Sequence, residues 1–481
     1  MKILLINPPL TGVQSETRLP LGLSYIASVL RNDGHDVRVI DVNALKLSYT
    51  LLEELIKDNE FDAVGLTGLI TQFRQIQRIT SIVRKTSGVK IVLGGGLASA
   101  APEVVLMKTY VDIAVIGEGE GTVVELFQAL AGKRPLEDVD GISYRKDNEI
   151  FSTGQRKPIE DISSLPFPAW DLFPMERYFN KNAMCMPERR ISLVTSRGCP
   201  YRCTFCFHGI FGHRYRSRTA ENIFLEMEFL YKKYRVRGFV FEDDTFVLNR
   251  KRVYRLCELI IKKKLKVYWT CNARINLVDK ELIDRMKKAG CVEISYGIES
   301  GNQAQLDRIK KDITIKDAYR VIDMTKKAGI MTHGFMMIGI PGDTVDTVRD
   351  SIKFCKRAGL QAEFTILAPI PGSKLFQDAV NMRSVNATAE NFVENWGSWL
   401  DEVLVNFTNL SDEKLIELKR NAENEIFTSY YKRNTVYIIR MLFLEFRVNG
   451  LFAVLTRLKR GLKALVRARK GPDLRERPDS V

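Results

Sequence analysis

Twice along this 481-residue chain, short β-branched and aliphatic runs alternate with amphipathic helical stretches, which limits the fold more than any other feature. In the first series Lys2–Asn7, Asp36–Val42, Ala63–Thr67, Lys90–Leu93 and Ile113–Ile116 are continuously apolar, as in parallel strands covered on both faces. Helical stretches near 21–33, 45–57, 72–86, 101–109 and 121–131 separate them. Residues 1–135 are therefore expected to form a doubly wound, Rossmann-like α/β sheet. In the second series six strands are expected near 191–196, 237–241, 267–271, 291–297, 332–338 and 363–368, each joined to the next by helix-forming sequence. That pattern predicts a partial (β/α)6 TIM-type barrel over 191–380. Between the two series, 136–190 holds an expected hairpin around Gly141–Thr153 and the stretch Pro166-Phe167-Pro168, Trp170 and Pro174. Such composition suits a connector laid over a domain junction. Residues 381–481 read as a helical C-terminal region.

Folds of this kind gather reactive groups at the C-terminal ends of their strands. In the first series those ends carry Pro8-Pro9, Thr67-Gly68-Leu69, Gly94-Gly95-Gly96 and Gly117-Glu118-Gly119-Glu120. Glycine there lets backbone approach a bulky ligand, although tight turns alone use it equally. After the first barrel strand comes Arg197-Gly-Cys-Pro-Tyr-Arg-Cys-Thr-Phe-Cys-Phe207, which spaces Cys199, Cys203 and Cys206 as C-x3-C-x2-C. Three thiolates can hold three irons of a 4Fe–4S cube and leave the fourth open to a substrate. Zinc, with a fourth ligand from His208 or His213, is the other reading of that spacing. Glu242, Asp243 and Asp244 end the second barrel strand, and Ser295-Tyr-Gly-Ile-Glu299 the fourth. The turn Gly339-Ile-Pro341-Gly342 follows the fifth.

The cysteine triplet, with Phe205 before its last member, resembles the signature of the radical S-adenosylmethionine (SAM) enzymes. The segments Phe241–Phe246, Ser295–Gly301 and Gly339–Thr344 are similar to further segments of that core. Residues 1–135 resemble the cobalamin-binding domain preceding it in one branch, which includes methyltransferases and anaerobic porphyrin cyclases. The resemblance implies three cofactors: a 4Fe–4S cluster on Cys199, Cys203 and Cys206, SAM, and cobalamin. It implies SAM contacts from Glu242, Asp243, Asp244, Ser295 and Glu299, with Lys311 facing the SAM carboxylate. For cobalamin it implies Thr67, Leu69, Gly94, Gly95, Gly96 and Glu118. The D-x-H-x-x-G pattern that ligates cobalt in many cobalamin proteins is absent, since Arg38 stands at the glycine position after Asp33 and His35. Cobalt with no histidine below it is therefore expected. The implied chemistry is reductive cleavage of SAM to a 5′-deoxyadenosyl radical, hydrogen abstraction from an unactivated carbon, and methyl transfer from methylcobalamin. Relatives using the same parts for ring closure or rearrangement keep those outcomes open. An external donor of the flavodoxin or ferredoxin type is implied as reductant.

The formal net charge of +15 gathers late, with Arg457, Lys459, Arg460, Lys463, Arg467, Arg469 and Lys470 within fourteen residues. A solvated helix face is the default for such a run. The apolar stretches Val436–Leu444 and Leu451–Val466 would also suit a helix lying in a membrane interface, and so a lipid substrate. No run of about twenty apolar residues offers a membrane span, and no secretory signal opens the sequence. With scattered cysteines and an oxygen-labile cluster, a reducing cytoplasm is expected, with or without peripheral membrane contact. Methylthio-transfer to tRNA, which would use the basic charge, is disfavoured because no cysteine precedes Cys185 for a second cluster. Nucleic acid is not a favoured partner. A non-enzymatic cobalamin or cluster sensor is the remaining alternative.

Overall fold

The computed structural model describes residues 1–10, 17–147, 149–179, 186–382, 388–395 and 403–433, with isolated positions beyond. Five parallel strands come first: β1 (Lys2–Asn7), β2 (Asp36–Asp41), β3 (Ala63–Thr67), β4 (Lys90–Gly94) and β5 (Ile113–Val115). They lie in the order β2-β1-β3-β4-β5, which reverses direction between β1 and β3. Such a reversal opens a crevice at the C-terminal strand ends. The hairpin β6 (Ile142–Lys146) and β7 (Glu149–Ser152), expected within the connector, pairs antiparallel along β5 and extends this sheet to seven strands. The sheet is thus mixed at one edge. The apolar runs carry no signal of this, because the hairpin's pairing partner lies outside its own sequence.

Both faces are covered. Leu4, Ile6, Val64, Leu66, Ile91 and Leu93 pack on one side, where Phe392 and Val393 of the late helix Ala389–Asn395 join them. Ile3, Leu5, Val92 and Val115 pack on the other, in a core that runs on without a break into the barrel. The bridge is the proline-rich stretch, whose Trp170, Phe173, Met175 and Tyr178 are buried. Ser28 Oγ donates to the Phe167 carbonyl (2.7 Å) and Tyr178 Oη to Asp41 Oδ2 (2.7 Å), tying the stretch to the first sheet.

The second sheet holds β8 (Arg190–Leu193), β11 (Gly238–Phe241), β12 (Tyr268–Ala273), β13 (Cys291–Glu299), β14 (Met331–Ile338) and β15 (Gln361–Ile366), all parallel and in sequence order. Two-residue strands β9 (Ser196–Arg197) and β10 (Arg216–Ser217) form a separate antiparallel ribbon. Among the described residues β8 and β15 are not paired, so the barrel stays open on one side. The helix Asp412–Arg433 packs over β15 and β14. Val436–Leu444, Leu451–Val466 and the basic run 457–470 lie outside the described residues, apart from isolated positions.

Alternation along the strands gives the barrel an apolar outer face and a polar inner one. Outward-facing Phe239, Phe241, Trp269, Ile294, Tyr296 and Ile298 are fully buried under helices. Register aligns Ser192, Val240, Thr270 and Glu293 across the sheet, then Asn272, Ser295, His333 and Gln361 one layer further along. Closed barrels of this type fill their centre with branched apolar side chains; this one does not.

Candidate active site

The cysteine loop is held at its base by the β9–β10 ribbon, where Arg197 pairs with Arg216 and Ser196 with Ser217. Gly198 has φ +79°, and a Cβ there would run into the Arg214 carbonyl, so the turn into Cys199 requires glycine. Further along, Thr204 N–H donates to the Ile309 carbonyl (3.1 Å), and Leu375 N–H donates to Thr204 (2.9 Å). Phe205 packs on the buried cluster of Ile309, Met337, Ile340, Leu367 and Leu375. The aromatic before the last cysteine is therefore an anchor for the loop.

The three thiols share one space with a carboxylate. Burial raises the Cys199 thiol, and Cys206 is pushed up to about 12 by burial first, then by Asp244, Cys203 and Cys199. Cys206 is exposed as a residue, yet its sulfur is dehydrated. Those two facts together describe a side chain on the wall of a concave site. Cys203 and Cys199 both act on the Cys206 thiol, so the three sulfurs face one another. A four-iron cube binds each thiolate to a different iron and so spreads them. The residues fit the cube.

The acidic trio divides into three tasks. Asp243 is buried and accepts from Thr195 N–H (2.6 Å), Thr195 Oγ1 (2.5 Å), Ser196 N–H (3.1 Å) and Ser196 Oγ (2.7 Å). It pins the start of the cysteine loop and has little capacity left for a ligand. Glu242 accepts from Ser192 Oγ (2.8 Å) and pairs with Arg18 (3.2 Å), which comes from the loop after β1. Asp244 has no hydrogen-bond or ion-pair partner for its carboxylate among the described residues. Burial, then Asp243, holds its pKa above the ordinary value.

Glu299 and Lys311 form a buried ion pair (2.6 Å). Glu299 sits at φ +73°, a conformation costly for a residue with a Cβ, and Gly297 leaves room for the pair. Lys311 lies 5.9 Å from the Phe205 ring centroid, and its charge reaches Cys206. Arg274 donates to the Lys311 carbonyl and to Cys203 Sγ (3.6 Å), and stacks on Tyr201 at 3.5 Å. Arg274 was not anticipated from the sequence; an arginine ending a barrel strand was its one signal. Ser295 hydrogen-bonds Glu293, whose carboxyl is raised by burial. The turn after β14 is closed by Asp343, which accepts from Gly339 N–H (3.0 Å) and Ile340 N–H (3.1 Å).

In the first sheet a slot of about 190 Å³ opens at the C-terminal ends of β1, β3, β4 and β5. Leu5, Leu23, Val92, Val115 and Phe127 are among its apolar lining, with Gly65, Thr67, Gly94 and Gly95 at the edge. A Cβ at Gly65 would stand 2.7 Å from Leu5, one at Gly95 would meet Gly68 O at 3.0 Å, and one at Gly22 would enter open space. An apolar slot kept open by glycines fits the flat base of a nucleotide tail. Leu69 is exposed, close enough to Gly96 that a Cβ there would be 3.7 Å away. Of the expected residues Thr67, Gly94 and Gly95 line the slot, while Leu69 and Gly96 neighbour each other outside its lining. No histidine is among the residues lining it. His35 lies elsewhere, 3.3 Å from Asp33 and against the Phe127 ring.

Glu118 also lines the slot, and its carboxylate takes Arg216, Arg197 (3.6 Å) and the Ile159 N–H (3.1 Å). Arg197, Ile210 and Phe211 of the cysteine loop line the same slot from above. The two cofactor sites share a wall.

Comparison with known proteins agrees. Residues 15–127 match the B12 binding domain and residues 193–355 the Radical SAM superfamily. The chain is 32% identical over 450 residues to an uncharacterized methyltransferase of Pyrococcus horikoshii, covering 91% of this chain and 94% of that one. It is 29% identical to the anaerobic magnesium-protoporphyrin IX monomethyl ester cyclase of Rubrivivax gelatinosus, over 79% of this chain and 70% of that one. The fold matches the radical SAM methyltransferase TsrM from Kitasatospora setae at a TM-score of 0.69 and 19% identity, over 80% of this chain and 76% of that one. The chain belongs to the radical SAM enzymes that carry an N-terminal B12-binding domain, in the methyltransferase branch. Its cofactors are a 4Fe–4S cluster, SAM and cobalamin. No helix among the described residues is long and apolar enough to cross a membrane.

Proposed function

We propose that this enzyme methylates a carbon of a polar small molecule held in the open barrel. The cofactors, when bound, supply the radical and the methyl group, and the protein's part is to hold, orient and exclude. Cys199, Cys203 and Cys206 hold the cluster, and Asp244 offers its unpartnered carboxylate to the SAM ammonium. Lys311, which spends one contact on Glu299, turns its remaining donors to the SAM carboxylate. Thr67, Leu69 and Gly94–Gly96 admit the cobalamin tail. Reducing equivalents come from a donor of the flavodoxin or ferredoxin type, and cytoplasmic residence goes with an oxygen-labile cluster.

The observation that carries this reading is the shared wall between slot and cysteine loop. The substrate class rests on a second cavity of about 270 Å³, lined by Arg18, Ser192, Glu242, Thr270, Glu293 and His333 among others. That lining includes none of the cysteines and only Glu242 of the expected site residues. It runs from the N-terminal ends of β8, β14 and β15, where Arg190, Met331 and Gln361 line it, up to Glu242 and the Arg18 loop of the cobalamin domain. Charged and hydroxylated walls suit a polar ligand better than an acyl chain. The lipid reading rested on segments outside the described residues. The test is anaerobic turnover with methyl-labelled SAM and a metabolite extract, followed by phase partition. Label in an aqueous product supports the proposal. Label in the organic phase refutes the polar class, and 5′-deoxyadenosine without labelled product favours the ring closure of the cyclase-like relatives.

A further inference from the structure

Four charged side chains are buried at the seam between the two sheets. Arg197 pairs with Glu120 (2.5 Å) and reaches Glu118 (3.6 Å), while Arg216 pairs with Glu118. All four are 6% exposed or less. Replacing such pairs with apolar residues would serve stability as well or better, so their use is in fixing one arrangement.

What they fix is specific. Arg197 and Arg216 are the paired residues at the base of the cysteine loop. Glu118 and Glu120 belong to the turn that lines the cobalamin slot. Arg197 lies 5.2 Å from the Phe211 ring centroid and 5.6 Å from that of Tyr25. A Cβ at Gly117 would be 3.6 Å from the Ile210 carbonyl, so loop and turn are in close contact. A loop ordered by its cluster presents a finished wall to the slot. A loop free of its cluster must be ordered when the slot fills, which weakens binding.

We propose that Arg197, Arg216, Glu118 and Glu120 are positioning residues that couple the two sites, so that cluster assembly and cobalamin binding strengthen each other. Coupling between equilibria is reciprocal, so one direction suffices to measure it. The full-length protein is titrated anaerobically with hydroxocobalamin, by absorbance, in cluster-free and reconstituted forms. No turnover is involved, so the result is independent of whether methyl transfer is the reaction. In the wild type the reconstituted form should bind about fivefold tighter or more, the lower range of such couplings. Glu120→Gln, which keeps the shape and removes the charge, should bind with one affinity in both forms, so that the ratio between them falls to about one. Phe211→Ala tests the same wall without touching an ion pair and should lose most of the difference, which decides the matter if Glu120→Gln does not fold. Equal wild-type affinities overturn the proposal. So does coupling that survives in the variants, and so does loss of cobalamin binding by cluster-free Glu120→Gln, which would make Glu120 a plain cobalamin contact.

Discussion

A methyl group on Gly297 would stand 2.7 Å from Glu299 Oε1 and 2.8 Å from Lys311 Nζ. The pair beneath the cysteine loop thus depends on a missing side chain. Gly297→Ala should push the two charges apart and weaken SAM binding about tenfold, worth about 1.4 kcal/mol, while iron content stays unchanged; calorimetric titration of the reconstituted protein measures it. An unaltered affinity would mean that the pair does not face SAM. At this scale the sequence was readable for residue type and poor for assignment. It put Glu242, Asp243 and Asp244 at one strand end but could not say that Asp243 would be consumed by Thr195 and Ser196. Those partners, Thr195 just before β9 and Ser196 at its start, lie 48 and 47 positions away.

At the scale of elements, the β9–β10 ribbon is the smallest piece with the largest consequence. Its strands are two residues each, too short for periodicity to reveal. The alternation Arg214-Tyr-Arg-Ser-Arg218 was its sequence trace, with Arg216 and Arg218 buried and Arg214 exposed. The ribbon closes only if the chain reverses at Gly198 in the left-handed region. Gly198→Ala should therefore open the loop and cut iron retention by more than half after desalting, with little change in far-ultraviolet circular dichroism. Full iron retention would show that the loop closes without the ribbon. The longer strands were legible because each is a continuous or alternating apolar run covered by helices. The hairpin after β5 was legible as a hairpin, but its membership of the first sheet was not.

For the whole molecule, the helix Asp412–Arg433 buries Leu415, Leu418, Ala422 and Ile426 against the barrel. Burying a Leu or Ile side chain contributes about 1.5–3 kcal/mol, so this helix is part of the fold and not an appendage. A chain ending at 411 should be insoluble, whereas one ending at 433 should keep the melting temperature within a few degrees. The shorter soluble form also tests the membrane reading. If it co-sediments with anionic liposomes as well as the full chain does, residues 434–481 have no interfacial role.

Local chemistry travels with the sequence. Strand alternation, cysteine spacing and glycines at strand ends are set within a few residues, which is why two α/β units were legible and why the motifs resemble those of a family that uses three cofactors. Tertiary structure decided which charges remain available to a ligand. Lys311 meets Glu299, Glu118 meets Arg216, and Glu242 meets Arg18 across distances of 12 to 224 positions. An ion pair depends on where folding brings two side chains, and that separation in space is not encoded in either residue's neighbours.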